Sequence, residues 1–110
     1  MALFWATCED LVIANGQTAT RTVNSANETA DALQINIQCP ATLPETCTIQ
    51  VSHDATNWVT LNDGTIDVPI PGAGKGGIYD NISFPYWRIL SGTAVAAQRT
   101  FKLSKIYNAY

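Results

Sequence analysis

The chain has 110 residues, room for one domain and one core. Its net charge is −3, and charged residues make up 14% of it, against about 25% in an average soluble domain. The acidic balance excludes a surface built to neutralise nucleic-acid phosphates, and so thin a charge coat favours a protein that lives against neighbours.

The first ten residues are apolar only briefly, have no basic start and end in Glu9 and Asp10. They read as neither a secretory leader nor a membrane span, so synthesis in a cytosol is expected. Residues 1–10 are read as an N-terminal arm, 11–106 as the single domain and 107–110 as a C-terminal tail. Leu3, Phe4 and Trp5 at one end, and Tyr107 and Tyr110 at the other, are candidate contacts with another chain, because aromatic side chains anchor interfaces. The alternative is that both ends pack on their own domain.

No window carries sustained helical periodicity, and short strands follow one another. Leu11–Ala14 is the first, stopped by Asn15 and Gly16. Residues 18–23 are Thr-rich and β-prone. Residues 24–31 are polar and turn-like, with one helical turn expected over 28–32. Leu33, Ile35 and Ile37 alternate and are expected to point inward. A loop with Pro40 and Pro44 follows, flanked by Cys39 and Cys47. Read as the mouth of a hairpin, it sets the two thiols opposite each other, a candidate disulfide if the loop closes symmetrically and the compartment oxidises. Cys8 reads as a small buried hydrophobe.

Residues 48–61, TIQVSHDATNWVTL, give the clearest signal. Ile49 and Val51 alternate, a polar turn spans 52–57, and Trp58 opens a second strand carrying Val59 and Leu61. This is an antiparallel hairpin with one dry face. Residues 62–64 turn the chain. Ile66, Val68 and Ile70 alternate, with Pro69 forcing an edge strand or an early end. A Gly-rich loop over 71–77 leads to a short strand at 78–82. Residues 85–90 place Trp87 and Ile89 on one face, 92–97 turn, and 100–106 form the last strand. About seven to nine short strands with frequent turns mean an all-β antiparallel sandwich, jelly-roll-like or galactose-binding-like. Its expected core is Leu33, Ile35, Ile37, Ile49, Val51, Trp87, Ile89, Phe101 and Leu103, with Trp58 also inside.

Nothing assembles into a catalytic set. The loop at 71–77 lacks phosphate-loop spacing and a following helix. His53 sits in a turn beside Asp54 with no nucleophile implied. Asp54, Asp63, Asp67 and Asp80 are scattered, without the dense spacing of a calcium loop, and one histidine is too few for an ordinary zinc site. No enzyme activity, cofactor or metal is expected.

The order of elements carries a resemblance: the alternating strand into the proline loop (35–44), the hairpin at 48–61, a short edge strand and Gly-rich loop, then FPYWRILS (84–91) and RTFKLSKI (99–106). It resembles small virion proteins of tailed bacteriophages, of the head-decoration or cement type. It is also similar to discoidin and galactose-binding-like sandwiches, which share an S-x-D-G-x-x-W hairpin and a Y-x-R-I strand, although Ala55 stands where that hairpin has Gly. The first resemblance implies a structural virion protein on the capsid surface, made in the host cytoplasm. It would bind the major capsid protein as a homo-oligomer, a trimer in this type, with no nucleic-acid or membrane partner. The alternative function is a carbohydrate-binding module of a phage tail or adhesin.

Overall fold

The computed structural model describes residues 2–109, so Met1 and the candidate contact Tyr110 lie outside the described residues. The chain runs β1 (Ala2–Thr7), β2 (Leu11–Ile13), β3 (Val23–Asn24), α1 (Ser25–Glu28), β4 (Ala32–Gln38), β5 (Cys47–Ser52), β6 (Val59–Thr60), β7 (Gly76–Asp80), β8 (Tyr86–Ser91) and β9 (Arg99–Ala109). One sheet has the order β1-β9-β4-β7, with β2 also pairing β9; the other has the order β3-β8-β5-β6. All pairings are antiparallel, and the fold is an all-β sandwich.

Parity along the strands decides what is buried. Ile35, Ile37, Phe101 and Leu103 from one sheet meet Ile49, Val51, Trp87 and Ile89 from the other in one closed cluster, together with Leu11, Ile13 and Val23. These aliphatic and aromatic residues share the inward phase of a period-two pattern.

Leu33 breaks the expected phase. The register of β4 against β9 shifts between Ala32 and Gln34, so Leu33 is the extra residue of a bulge and Ala32 takes the buried place. Trp58 is the second departure. It lies in the phase of Thr60, which pairs with Gln50, which in turn pairs with Arg88. That is the outer face of the four-stranded sheet, so Trp58 is half-buried and the Arg88 guanidinium lies 4.2 Å from its ring centroid.

Smaller departures have local causes. The Thr-rich segment tracks β8 without forming a full strand, because the Thr20 hydroxyl accepts from the Ile89 N–H at 3.0 Å in place of a backbone carbonyl. The helical turn falls at 25–28, ahead of its expected place. Asn24 caps it by accepting from the Ala26 N–H, while Glu28 accepts from the Asn24 N–H. Residues 66–70 make only isolated bridges, Asn62 to Asp67 and Thr48 to Pro69, leaving Ile66 exposed.

The proline loop closes no hairpin. It leaves β4 in one sheet and enters β5 in the other, so the two cysteines do not face each other across a ladder. Both are buried in the core cluster as free thiols. The loop is pinned instead by a bidentate pair: Arg99 Nε donates to Glu45 Oε1 at 3.0 Å and Nη2 to Oε2 at 3.2 Å. Both side chains are 8% exposed.

Candidate functional site

Hydrophobic side chains left in water locate the site. Leu3, Phe4 and Trp5 are 63%, 46% and 63% exposed, all on β1. The strand is ALFWAT, with no charge and no proline. It forms because β9 extends past the domain core and offers a full ladder, from Ala2 opposite Ala109 to Thr7 opposite Ser104. Part of the segment read as an N-terminal arm and the start of the C-terminal tail are therefore paired in one two-stranded ribbon. Phe4 stacks on Tyr107 at 5.9 Å between centroids. Lys105 Nζ lies 5.4 Å from the Tyr107 ring and donates to Asp31 Oδ1 at 2.6 Å, which holds the Asp31 carboxyl below its ordinary range.

Only one side of β1 is used. The Cys8 N–H donates to the Leu103 carbonyl at 2.8 Å, so the closely bonded pairs with β9 fall at even positions of β1. The N–H and C=O groups of Leu3, Trp5 and Thr7 point the other way, along the open edge of the sheet.

The side chains of Leu3, Trp5 and Thr7 rise from the outer face of the five-stranded sheet. Cross-strand registers continue that face through Ser104, Asn36 and Ile78 in one row. A shallow groove of about 510 Å³ runs here between Trp5, Asn36, Gln38, Ile78, Lys102 and Ser104. Lys102 is tied to Asp10 at 2.8 Å. The surface combines an aromatic ring and an exposed isoleucine. Its polar groups are the Asn36 and Gln38 amides, the Thr7 and Ser104 hydroxyls and the Lys102 ammonium that Asp10 holds.

Of the expected contacts, Leu3, Phe4, Trp5 and Tyr107 gather on this ribbon. The polar side of the site was missed, although Gln34, Asn36 and Gln38 alternate in the sequence and so had to share the face opposite Ile35 and Ile37. The other sequence candidates lie elsewhere. His53 packs against Phe84 with ring centroids 5.2 Å apart. Asp54 Oδ1 accepts from the N–H groups of Asn57 at 2.8 Å and Thr56 at 2.9 Å, which drives its carboxyl far below the ordinary range. Asp63 does the same for Ile66 and Thr65. These carboxylates organise turns, and among the described residues no three metal-ligating side chains converge.

The thiols are no more reactive. Burial pushes Cys47 up to about 11 and raises Cys39 and Cys8 as well, so they stay protonated and poorly nucleophilic at neutral pH. In comparisons with known proteins, the chain matches no protein-family model, no curated protein and no solved structure.

Proposed function

We propose that the protein is a structural component of a phage head, a decoration or cement protein that adheres to the major capsid protein and stabilises the shell. The observation that carries this reading is the exposed apolar strand β1, continuous with an outer sheet face that is mostly uncharged and whose Lys102 is paired with Asp10. Solitary proteins blunt such edges with charge, proline or brevity, and this one does not. Many copies of a modest adhesive face sum through multivalency on a repeating lattice. The family-level part rests on the sequence resemblance; the adhesive part rests on β1.

The test is binding of the purified full chain to particles that lack it, followed by electron microscopy to place its density. Expected is saturable occupancy of the head exterior, weakened at least tenfold by Trp5→Asp. Density on the tail, or no occupancy at all, overturns the reading.

The carbohydrate alternative is favoured by one observation, the Trp5 ring beside the Asn36 and Gln38 amides, since ring stacking and planar amides suit a sugar. Chemical-shift changes confined to Trp5, Asn36 and Gln38 on titration with a panel of oligosaccharides would select it.

A further inference from the structure

We propose that β1 adds to the β1 of a second copy of this chain, antiparallel about a two-fold axis, so that two five-stranded sheets become one continuous sheet. This rests on the reading of β1 as an adhesive edge, departs from the trimer that the cement-type resemblance implies, and is tested without any particle.

Two observations point to a second copy as the occupant, and a third sets how firmly it would hold. The first is the hydrogen-bond phase. The free N–H and C=O groups belong to Leu3, Trp5 and Thr7, and a continuous sheet requires facing residues to share one side of it. Odd positions must therefore meet odd positions. Placing Phe4 on the two-fold axis satisfies this and pairs Leu3 with the partner's Trp5, twice over, through four backbone hydrogen bonds.

The second is self-complementarity. In that register Ala2 faces Ala6, Leu3 faces Trp5 and Phe4 faces Phe4, so the facing pairs from Ala2 to Ala6 are all apolar and cross-strand aromatic–aliphatic contacts form on the outer face. No charged residue lies on β1, so the overall charge of −3 brings no like charges together at the seam. A strand whose apolar residues are self-complementary about its own centre fits an isologous interface.

The third is area. The exposed parts of Leu3, Phe4 and Trp5 come to roughly 350 Å² per copy on the areas such side chains carry, or about 700 Å² for the pair. That lies below the roughly 1,200 Å² of a standard stable interface. A pair held by this seam and its backbone bonds should dissociate on dilution. It would present two outer faces side by side, with Trp5 at the join.

The other edges offer no equal site. Strand β2 has three residues, and β3 and β6 have two each. Against β7 lies the segment 68–71, strapped down where the Tyr79 hydroxyl donates to the Pro69 carbonyl at 2.8 Å.

Sedimentation equilibrium of the full chain across a concentration series tests the proposal. A reversible monomer–dimer equilibrium is expected. Leu3→Pro removes an N–H that β9 does not use, so this edge-facing proline should leave the circular dichroism spectrum unchanged while weakening dimerisation at least tenfold. Trp5→Lys should act in the same direction without altering the backbone. Phe4→Cys should give an interchain disulfide between the introduced thiols, confirmed by peptide mapping, because a pair on the axis that is not hydrogen-bonded brings the Cα atoms within bridging reach. A protein that stays monomeric into the millimolar range, a trimer, or a dimer insensitive to both Leu3→Pro and Trp5→Lys overturns the proposal. None of those outcomes bears on whether the protein binds phage heads.

Discussion

The five-stranded sheet has two edges, and they are built in opposite ways. At β7 the strand starts with two glycines, ends in Asp80, and carries Tyr79, whose hydroxyl holds the neighbouring Pro69 segment against it. At β1 the strand is six residues long, uncharged and unstrapped, with its largest side chains in water. Both edges belong to one sheet over one core, so the difference is not imposed by the fold. A sandwich needs its edges guarded only where association would harm it. The contrast is between a guarded edge at β7 and an unguarded one at β1, and only the unguarded one is open to another strand.

Both edges hang on the shared core, so the harshest way to break the contrast is to remove that core. Trp87 is fully buried at the centre of the four-stranded sheet. Trp87→Ala should cost about 3–5 kcal/mol, and both edges should be lost in one cooperative unfolding transition. Urea denaturation followed by circular dichroism checks this; two separated transitions would mean that the terminal ribbon folds apart from the sandwich.

A milder change attacks the guarded edge. A Cβ at Gly77 would meet the Tyr79 hydroxyl at 2.5 Å and its ring at 2.7 Å. Gly77→Ala should expel the ring, release Pro69 and cost about 1–3 kcal/mol. Unstrapping β7 should also raise self-association of a Leu3→Pro background, read by light scattering. No rise would show that the strap is not what keeps β7 idle.

Acid separates the edges by charge. Glu45, Asp54, Asp63 and Asp31 all have carboxyls held below their ordinary values by hydrogen bonds, from Arg99, from the turn N–H groups and from Lys105. Depressed values mean that this stabilisation is full above the unfolded-state range near 4. It is lost as pH falls through and below that range, because only the unfolded chain then takes up protons readily. Thermal stability should therefore be level from pH 7 to about 5 and fall beneath that. Dimerisation through uncharged β1 should stay constant until unfolding begins. A dimer that dissociates near pH 6, well above any of these titrations, would point to a charged interface instead.

The smallest expected effect is at the turn feeding β6. Ala55 has φ 61°, the one described non-glycine residue in the left-handed region. The turn is held because Ala55 and Asp54 N–H groups both donate to Ser52 Oγ. Ala55→Gly removes the steric cost of that conformation and should stabilise the protein by roughly 0.5–1 kcal/mol, with no change in association. Destabilisation by the glycine would mean that chain entropy outweighs the strain.

The core was legible because it obeys parity: Ile49, Val51, Trp87 and Ile89 fall inside as their alternation requires. Leu33 was not legible, since a bulge is a property of two strands together and β4 alone does not record its register against β9. Trp58 misled because its bulk outweighed its phase. The loop at 39–47 was misread because a change of sheet and a hairpin carry the same proline-rich signature over so short a span. Exposed aromatic termini were visible in the sequence. Their union was not, because pairing Phe4 with Tyr107 spans almost the whole chain and no local pattern encodes it.

That pairing has a consequence for biosynthesis. Strand β1 is translated well ahead of β9, the strand it pairs with among the described residues. At about 5–20 residues per second, its apolar residues wait roughly 5–20 s for a complement. Any second nascent chain on the same message offers an identical strand during that interval. The same self-complementarity that would join two finished sandwiches would then set a race on the polysome between a distant partner in the same chain and a near one in its neighbour.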